Sequence, residues 1–195
     1  MGLDMYLDKY PRGYEPKAIG VVEEFVSWIK KGLDYSYEKE LKPSFVDWCG
    51  YSAEDLPNAT DLIKLLEMVH ISYSEWDINK KSPRYLIHDN VGYWRKANAI
   101  HKWFVDNVQD GEDDCDFHRP VTKHDLETLF ELCREVLQDH AKAEELLPVE
   151  SGFFFGSQAY DEWYFQDIED TANLCKELID TFNFENYDLY YRSSW

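Results

Sequence analysis

Basic residues are what this chain is shortest of: 20 Lys and Arg face 39 Asp and Glu, for a formal net charge of -19. A surface that grips nucleic-acid phosphates needs clustered Lys and Arg. An anionic membrane surface makes the same demand. Direct nucleic-acid binding and membrane docking are therefore disfavoured. Cysteine is also sparse. Cys49, Cys115, Cys133 and Cys175 lie far apart with no CxxC pair, so no disulfide framework is implied, and reduced thiols in a cytosol are the simplest reading. No apolar run approaches the roughly 18 residues of a membrane span. Met1–Leu7 alternates in character and lacks the charged-then-apolar pattern of a leader, so the expected location is the cytoplasm. A glycine-rich phosphate loop and a serine in a nucleophile elbow are missing as well. No motif identifies a reaction, which favours a binding protein over an enzyme, and no cofactor is implied.

What is present points to an ordinary folded domain. The 195 residues are expected to form one domain over 1–195. With 44% hydrophobic and 16% aromatic residues, a core forms without metal or disulfide support, and the aromatics set the chain apart from disordered acidic segments. The charge is uneven. Residues 1–103 hold 14 Lys and Arg against 16 Asp and Glu, whereas residues 104–195 hold 6 against 23. Such acidity either keeps the protein dispersed or attracts a basic partner.

Periodicity gives an α+β domain, predominantly α-helical, with four to five helices and a small sheet. Gly2–Asp8 alternates as a strand and Tyr10–Gly13 reads as a turn. Helices are expected over 16–31, 60–70, 92–108, from Thr122 toward Pro148, and from Ser157 to about Phe182, with a short possibility at 44–49. Thr122 and Asp125 resemble a capping box. Arg84–His88 is a candidate strand. Tyr187–Ser193 is a second, positioned to pair with Gly2–Asp8 and join the two ends.

Several constellations invite chemistry. On a helix over 92–108, Trp94, Asn98 and His101 share a stripe beside the core stripe, with Arg95 farther round. An indole, an amide and an imidazole there suit a base, peptide or small polar ligand. The alternative is a helix edge whose polar groups bond to neighbouring loops, and this is the more frequent outcome. Asp106–Phe117 has Gly111 in the sixth place of a calcium loop, but Val108 and Phe117 stand where oxygen ligands belong. Cys115, His118, His124 and Cys133 match no zinc spacing, so no metal site is assigned. Asp161 with Glu162, and Glu169 with Asp170, are sequence neighbours that diverge on a helix and form no acid–base pair.

Three blocks carry a resemblance: residues 1–7 (MGLDMYL), residues 92–105 (GYWRKANAIHKWFV), and residues 152–157 (GFFFGS) followed by Tyr160 and Asp161. They resemble a family of small acidic proteins encoded by bacteriophages and prophages. That resemblance implies an accessory protein acting in the cytoplasm of a bacterial host, and it implies no reaction. Joined to the charge asymmetry, it leads to an interaction protein that inhibits or redirects a basic host protein, such as a nucleic-acid-binding defence factor. The expected contact residues are Asp110, Glu112, Asp113, Asp114, Asp116, Asp161, Glu162, Glu169 and Asp170. The alternative is a small-molecule or nucleotide-binding protein, or an enzyme, with its site around Trp94, Arg95, Asn98 and His101.

Overall fold

The computed structural model describes residues 2–29, 57–72, 84–153 and 155–195. The short helical possibility at 44–49, Cys49 and Phe154 lie outside the described residues. The chain divides into two compact units, Met1–Arg12 with Asn90–Trp195, and Gly13–Asp89. The first holds 25 Asp and Glu against 11 Lys and Arg. Six α-helices and two small sheets occur among the described residues, so the fold is α+β with one helix more than the sequence pattern suggested.

The first unit is built on a three-stranded sheet with β1 (Asp4–Pro11) between β4 (Asp89–Arg95) and β5 (Tyr187–Ser194). β1 and β5 run antiparallel, from Asp4 opposite Ser194 to Pro11 opposite Tyr187, which joins the two ends of the chain as the alternation predicts. β1 runs through Tyr10 and Pro11, and the turn is left to Arg12 and Gly13. One face carries Leu3, Met5 and Leu7, all fully buried. Against it pack α3 (Asn98–Val108), α4 (Lys123–Gln138) and α6 (Glu162–Thr181). Phe104 of α3 stacks flat on Tyr191 of β5, with centroids 4.1 Å apart. Burying each such large side chain stabilises the fold by roughly 1.5–3 kcal/mol. Gly92 of β4 lies where a Cβ would meet the Leu174 side chain of α6 at 2.7 Å, so a larger residue there would have to push Leu174 aside.

The expected helix over 92–108 is corrected. Residues 89–95 form β4, and helix begins only at Asn98. Val91, Tyr93 and Trp94 suit a pleated surface, and Lys96 takes a positive φ of 62°, which a right-handed helix cannot pass through. Downstream, Thr122 caps α4 with Asp125 in the reciprocal box read from the sequence. That helix stops at Gln138, because Asp139 is extended and its carboxylate caps a new turn at Ala141. A 3-10 turn (His140–Lys142) and α5 (Ala143–Leu146) cover the remaining stretch to Pro148. The last helix starts at Glu162, four residues later than a Ser157 N-cap would place it, with Asp161 accepting from the amides of Trp163 and Tyr164. Ser and Asp cap about equally well. What decides is the Ser157 carbonyl, which accepts from Asn98 and stays out of the helix ladder. Cys133 and Cys175 are buried between helices, and burial pushes both thiols up, Cys175 to about 12.

In the second unit, α1 (Pro16–Ile29) opens with proline at its first position, where the missing N–H costs nothing. α2 (Ala59–Glu67) is capped by Asn58, whose side chain accepts from the Asp61 amide. β2 (His70–Ser72) and β3 (Arg84–Leu86) pair antiparallel, so the candidate strand at 84–88 finds its partner in a second small sheet. Glu23 of α1 is buried and accepts from the amides of Ile87 and His88 and contacts the His88 ring.

Asp8 ties all three strands of the first unit. Fully buried on β1, it accepts from Arg192 Nε of β5 at 2.9 Å and from Asn90 Nδ2 of β4 at 2.9 Å. Removing Asp8 takes an acceptor from the Asn90 amide and leaves Arg192, a third exposed, without its partner, which typically costs about 1–3 kcal/mol. Asp8→Ala is therefore expected to lower the unfolding free energy by about that amount in urea titrations, while exposed Asp180→Ala stays within about 0.5 kcal/mol of the parent.

Candidate functional site

Lys96 is where distant parts of the first unit meet. Its amide donates to the Leu3 carbonyl at 2.8 Å, fastening the β4–α3 junction to β1. Its side chain crosses Gly156, where a Cβ would come within 3.0 Å of Lys96 Cβ, and Gly156 itself has φ 92°. Two residues on, Asn98 is buried and donates from Nδ2 to the carbonyls of Phe155 (3.0 Å) and Ser157 (2.7 Å). Its Oδ1 accepts from the Glu150 amide at 3.1 Å. One carboxamide thus holds the 150–157 loop at three points. Residues of the segments 1–7, 92–105 and 152–157 converge here.

Beside this junction lies a cleft of about 280 Å³, lined among others by Arg95, Lys96, Ser157, Asp161, Trp163 and Asp167. Its size suits one side chain or a small fragment better than a drug-sized ligand. Ala97, at the N-cap of α3, offers no capping side chain, so the first-turn amides at the cleft are left without one. Trp163 is 79% exposed at the rim. Half-buried Asp167 is the electrostatic anomaly. Burial, and after it the neighbouring Asp170 and Asp161, push its carboxyl up to about 6.

The residues proposed from the sequence fare unevenly. Trp94 is buried on β4, and its indole N–H donates to Thr171 Oγ1 at 2.9 Å. Asn98 spends its amide on the loop. His101 is fully buried, with Nδ1 2.8 Å from the Tyr191 hydroxyl and Nε2 3.0 Å from Asp113 Oδ1. Burial draws its pKa down, against the opposing pull of Asp113 and Glu150, so the neutral ring accepts from the phenol and donates to the carboxylate. Neither nitrogen is left to take a substrate proton, and the chemistry of this trio is cohesion. Arg95 alone of the four faces outward, 3.9 Å from Asp4.

The acidic loop is likewise half committed. Asp113 accepts from His101 and from the Trp195 indole. Asp114 accepts from the Asp116 amide and contacts His118, and its carboxyl is lowered chiefly by the Asp116 amide. Asp110, Glu112 and Asp116 are exposed, as are Glu162, Glu169 and Asp170 of α6. Asp161 is half-buried as the α6 cap. Among the described residues no group of three His, Cys, Asp or Glu side chains is arranged to hold a metal ion, and no helix there is long and apolar enough to cross a membrane.

Sequence reasoning missed Lys96, Trp163 and Asp167. A signal existed for Trp163, since the inward face through Tyr164 and Ile168 leaves it pointing out. No sequence signal marked the left-handed turn at Lys96.

Two outcomes test this geometry. Asn98→Ala orphans the Glu150 amide and two carbonyls, so it should cost about 1–3 kcal/mol and make the 150–157 loop the first site cut in limited proteolysis. Asp167 holds its proton more tightly folded than unfolded, so its ionisation penalises the native state above about pH 6. The penalty fades as pH falls toward the ordinary value of 3.8. Asp167→Asn should therefore raise Tm by a few degrees near pH 8 and leave it unchanged near pH 4.

Compared with known proteins, the chain matches no family model, no curated protein and no solved structure.

Proposed function

We propose that this chain is a phage-encoded accessory protein that binds a basic host protein, such as a nucleic-acid-binding defence factor, and inhibits or redirects it through an acidic, aromatic-studded face. The observation that carries this reading is Trp163. A largely exposed indole at the start of α6 shares a cleft with Asp161 and Asp167, follows Glu162 in the chain, and has exposed Asp170 two turns further along the helix. Carboxylates set around an exposed tryptophan combine long-range attraction of a basic surface with a desolvating anchor. Asp167 is raised first by burial and then by the negative charges of Asp170 and Asp161, and that second contribution is one an incoming cation would relieve. Asp110, Glu112 and Asp116 of the acidic loop are exposed as well.

A second reading, a small polar ligand in the cleft beside Asn98, is favoured by the helix start that no side chain caps. A thermal-shift panel of nucleotides and metabolites separates the two, because a native-state ligand raises Tm.

The leading test is capture from bacterial lysate by the tagged protein, eluted in steps of rising salt and read by mass spectrometry. One basic protein should be released as salt rises. Trp163→Ala, and the combined reversal of Glu162, Glu169 and Asp170 to Lys, should each weaken its binding by about tenfold or more. Equal capture by the parent and both variants would sink the reading.

A further inference from the structure

A second cleft of the first unit, about 560 Å³, opens beside α3 one turn beyond Asn98 and is walled by Phe153, Phe155 and Trp195. Asp106, Asp113 and Glu150 line it together with Lys102, and buried His101 forms part of the floor. Three carboxylates therefore meet one resident ammonium. That ammonium already shows what the cleft accepts: Lys102 Nζ lies 3.1 Å from Asp106 and 3.3 Å from Glu150, bridging two of the acids. The third, Asp113, takes both of its hydrogen bonds on Oδ1, from His101 at 3.0 Å and the Trp195 indole at 3.1 Å. Among the described residues no hydrogen bond falls on its Oδ2. Phe153 is 96% exposed and Trp195 is 43% exposed, so two aromatic groups flank this negative site.

We infer that this cleft receives an arginine side chain of a partner protein. The guanidinium is planar, stacks on aromatic faces and donates in pairs to carboxylates. Aromatic walls with an excess of two carboxylates supply each of those complements. The His101 bond to Asp113 holds the carboxylate in place, and the Tyr191 bond behind it holds the ring, so the site is ordered before the arginine arrives. A lysine fits the charge and forgoes the stacking and the paired donation. This inference rests on the proposed binding of a basic partner and names one side chain that binding would use.

The test uses the full chain and a fluorescein-labelled peptide with two arginines among glycines and alanines. Matched peptides carry lysine, or citrulline, which keeps the shape and loses the charge. Anisotropy titrations at moderate salt should show the arginine peptide binding about tenfold tighter than citrulline and severalfold tighter than lysine. Phe153→Ala, at a position too exposed to endanger folding, and Glu150→Gln should each weaken arginine-peptide binding severalfold. The Lys reversal of Glu162, Glu169 and Asp170 should leave it within about twofold. Equal binding of arginine and citrulline peptides, equal binding of arginine and lysine peptides, no binding at all, or indifference to Phe153→Ala overturns the inference. If the α6 reversal abolishes binding while Phe153→Ala does nothing, the acidic face of α6 binds basic partners and this cleft does not. If lysate capture fails while the peptide behaves as expected, the arginine site stands and the host-protein reading falls.

Discussion

A single buried carboxylate, Asp8, sets the conditions for the rest of the first unit. It lies on the central strand and takes hydrogen bonds from β5 through Arg192 and from β4 through Asn90. A charge without water must be paired and hydrogen-bonded to be tolerated. Here that requirement can be met only with all three strands in register. Slipping β5 by one residue would turn Arg192 to the other face and strand Asp8. The Arg192 guanidinium also lies 4.0 Å over the Tyr6 ring, so its reach to Asp8 is braced from the side. The sheet so fixed presents Leu3, Met5 and Leu7 to the helices.

From that sheet the site follows by a chain of backbone constraints. β4 must end where Lys96 donates to Leu3, and Lys96 must turn left-handed to begin α3 where it does. An α-helix starting there places Asn98 and His101 on consecutive turns, one toward the 150–157 loop and the other toward the acidic loop. Two polar side chains of one helix thus position the walls of two clefts. Support beneath exposed aromatic groups is what a binding surface needs, and it comes here from residues whose polar atoms are engaged in internal hydrogen bonds.

Much of this was legible in the sequence and some was not, for identifiable reasons. The pairing of terminal strands followed from alternation at both ends, and the α4 start followed from Thr122 and Asp125, because both signals are local. Even there, the Arg119 fork on Asp125 at 2.7 and 2.9 Å came from tertiary placement. Burial alone would raise the Asp125 carboxyl, and the Arg119 and Thr122 hydrogen bonds outweigh it and hold the group low. A helix through 92–97 fails because apolar residues at 93, 97, 100, 104 and 108 satisfy a helical period while the first of them, Tyr93, sits on a strand. Trp94 and His101 were joined by that false period. Asn98 and His101, candidate ligand residues by sequence, lie on α3 and make internal hydrogen bonds. Asp167 was invisible because its shift depends on a cleft made by segments some seventy residues apart.

Whether the acidity serves only to keep the protein dispersed can be argued from where the charges sit. Solubility asks for exposed charges, well separated and fully hydrated. Exposed Glu127, Glu144 and Asp180 are open to water. Asp167 is less so. It is half-buried beside two other aspartates, and burial and repulsion both raise the cost of ionising it. Asp106, Asp113 and Glu150 likewise gather around one cleft with aromatic walls. Concentrating like charges around exposed rings costs stability and adds nothing to dispersal that a scattered arrangement would not supply. A cation arriving from outside relieves that repulsion, so the same placement that is unfavourable for the isolated chain becomes favourable in a complex.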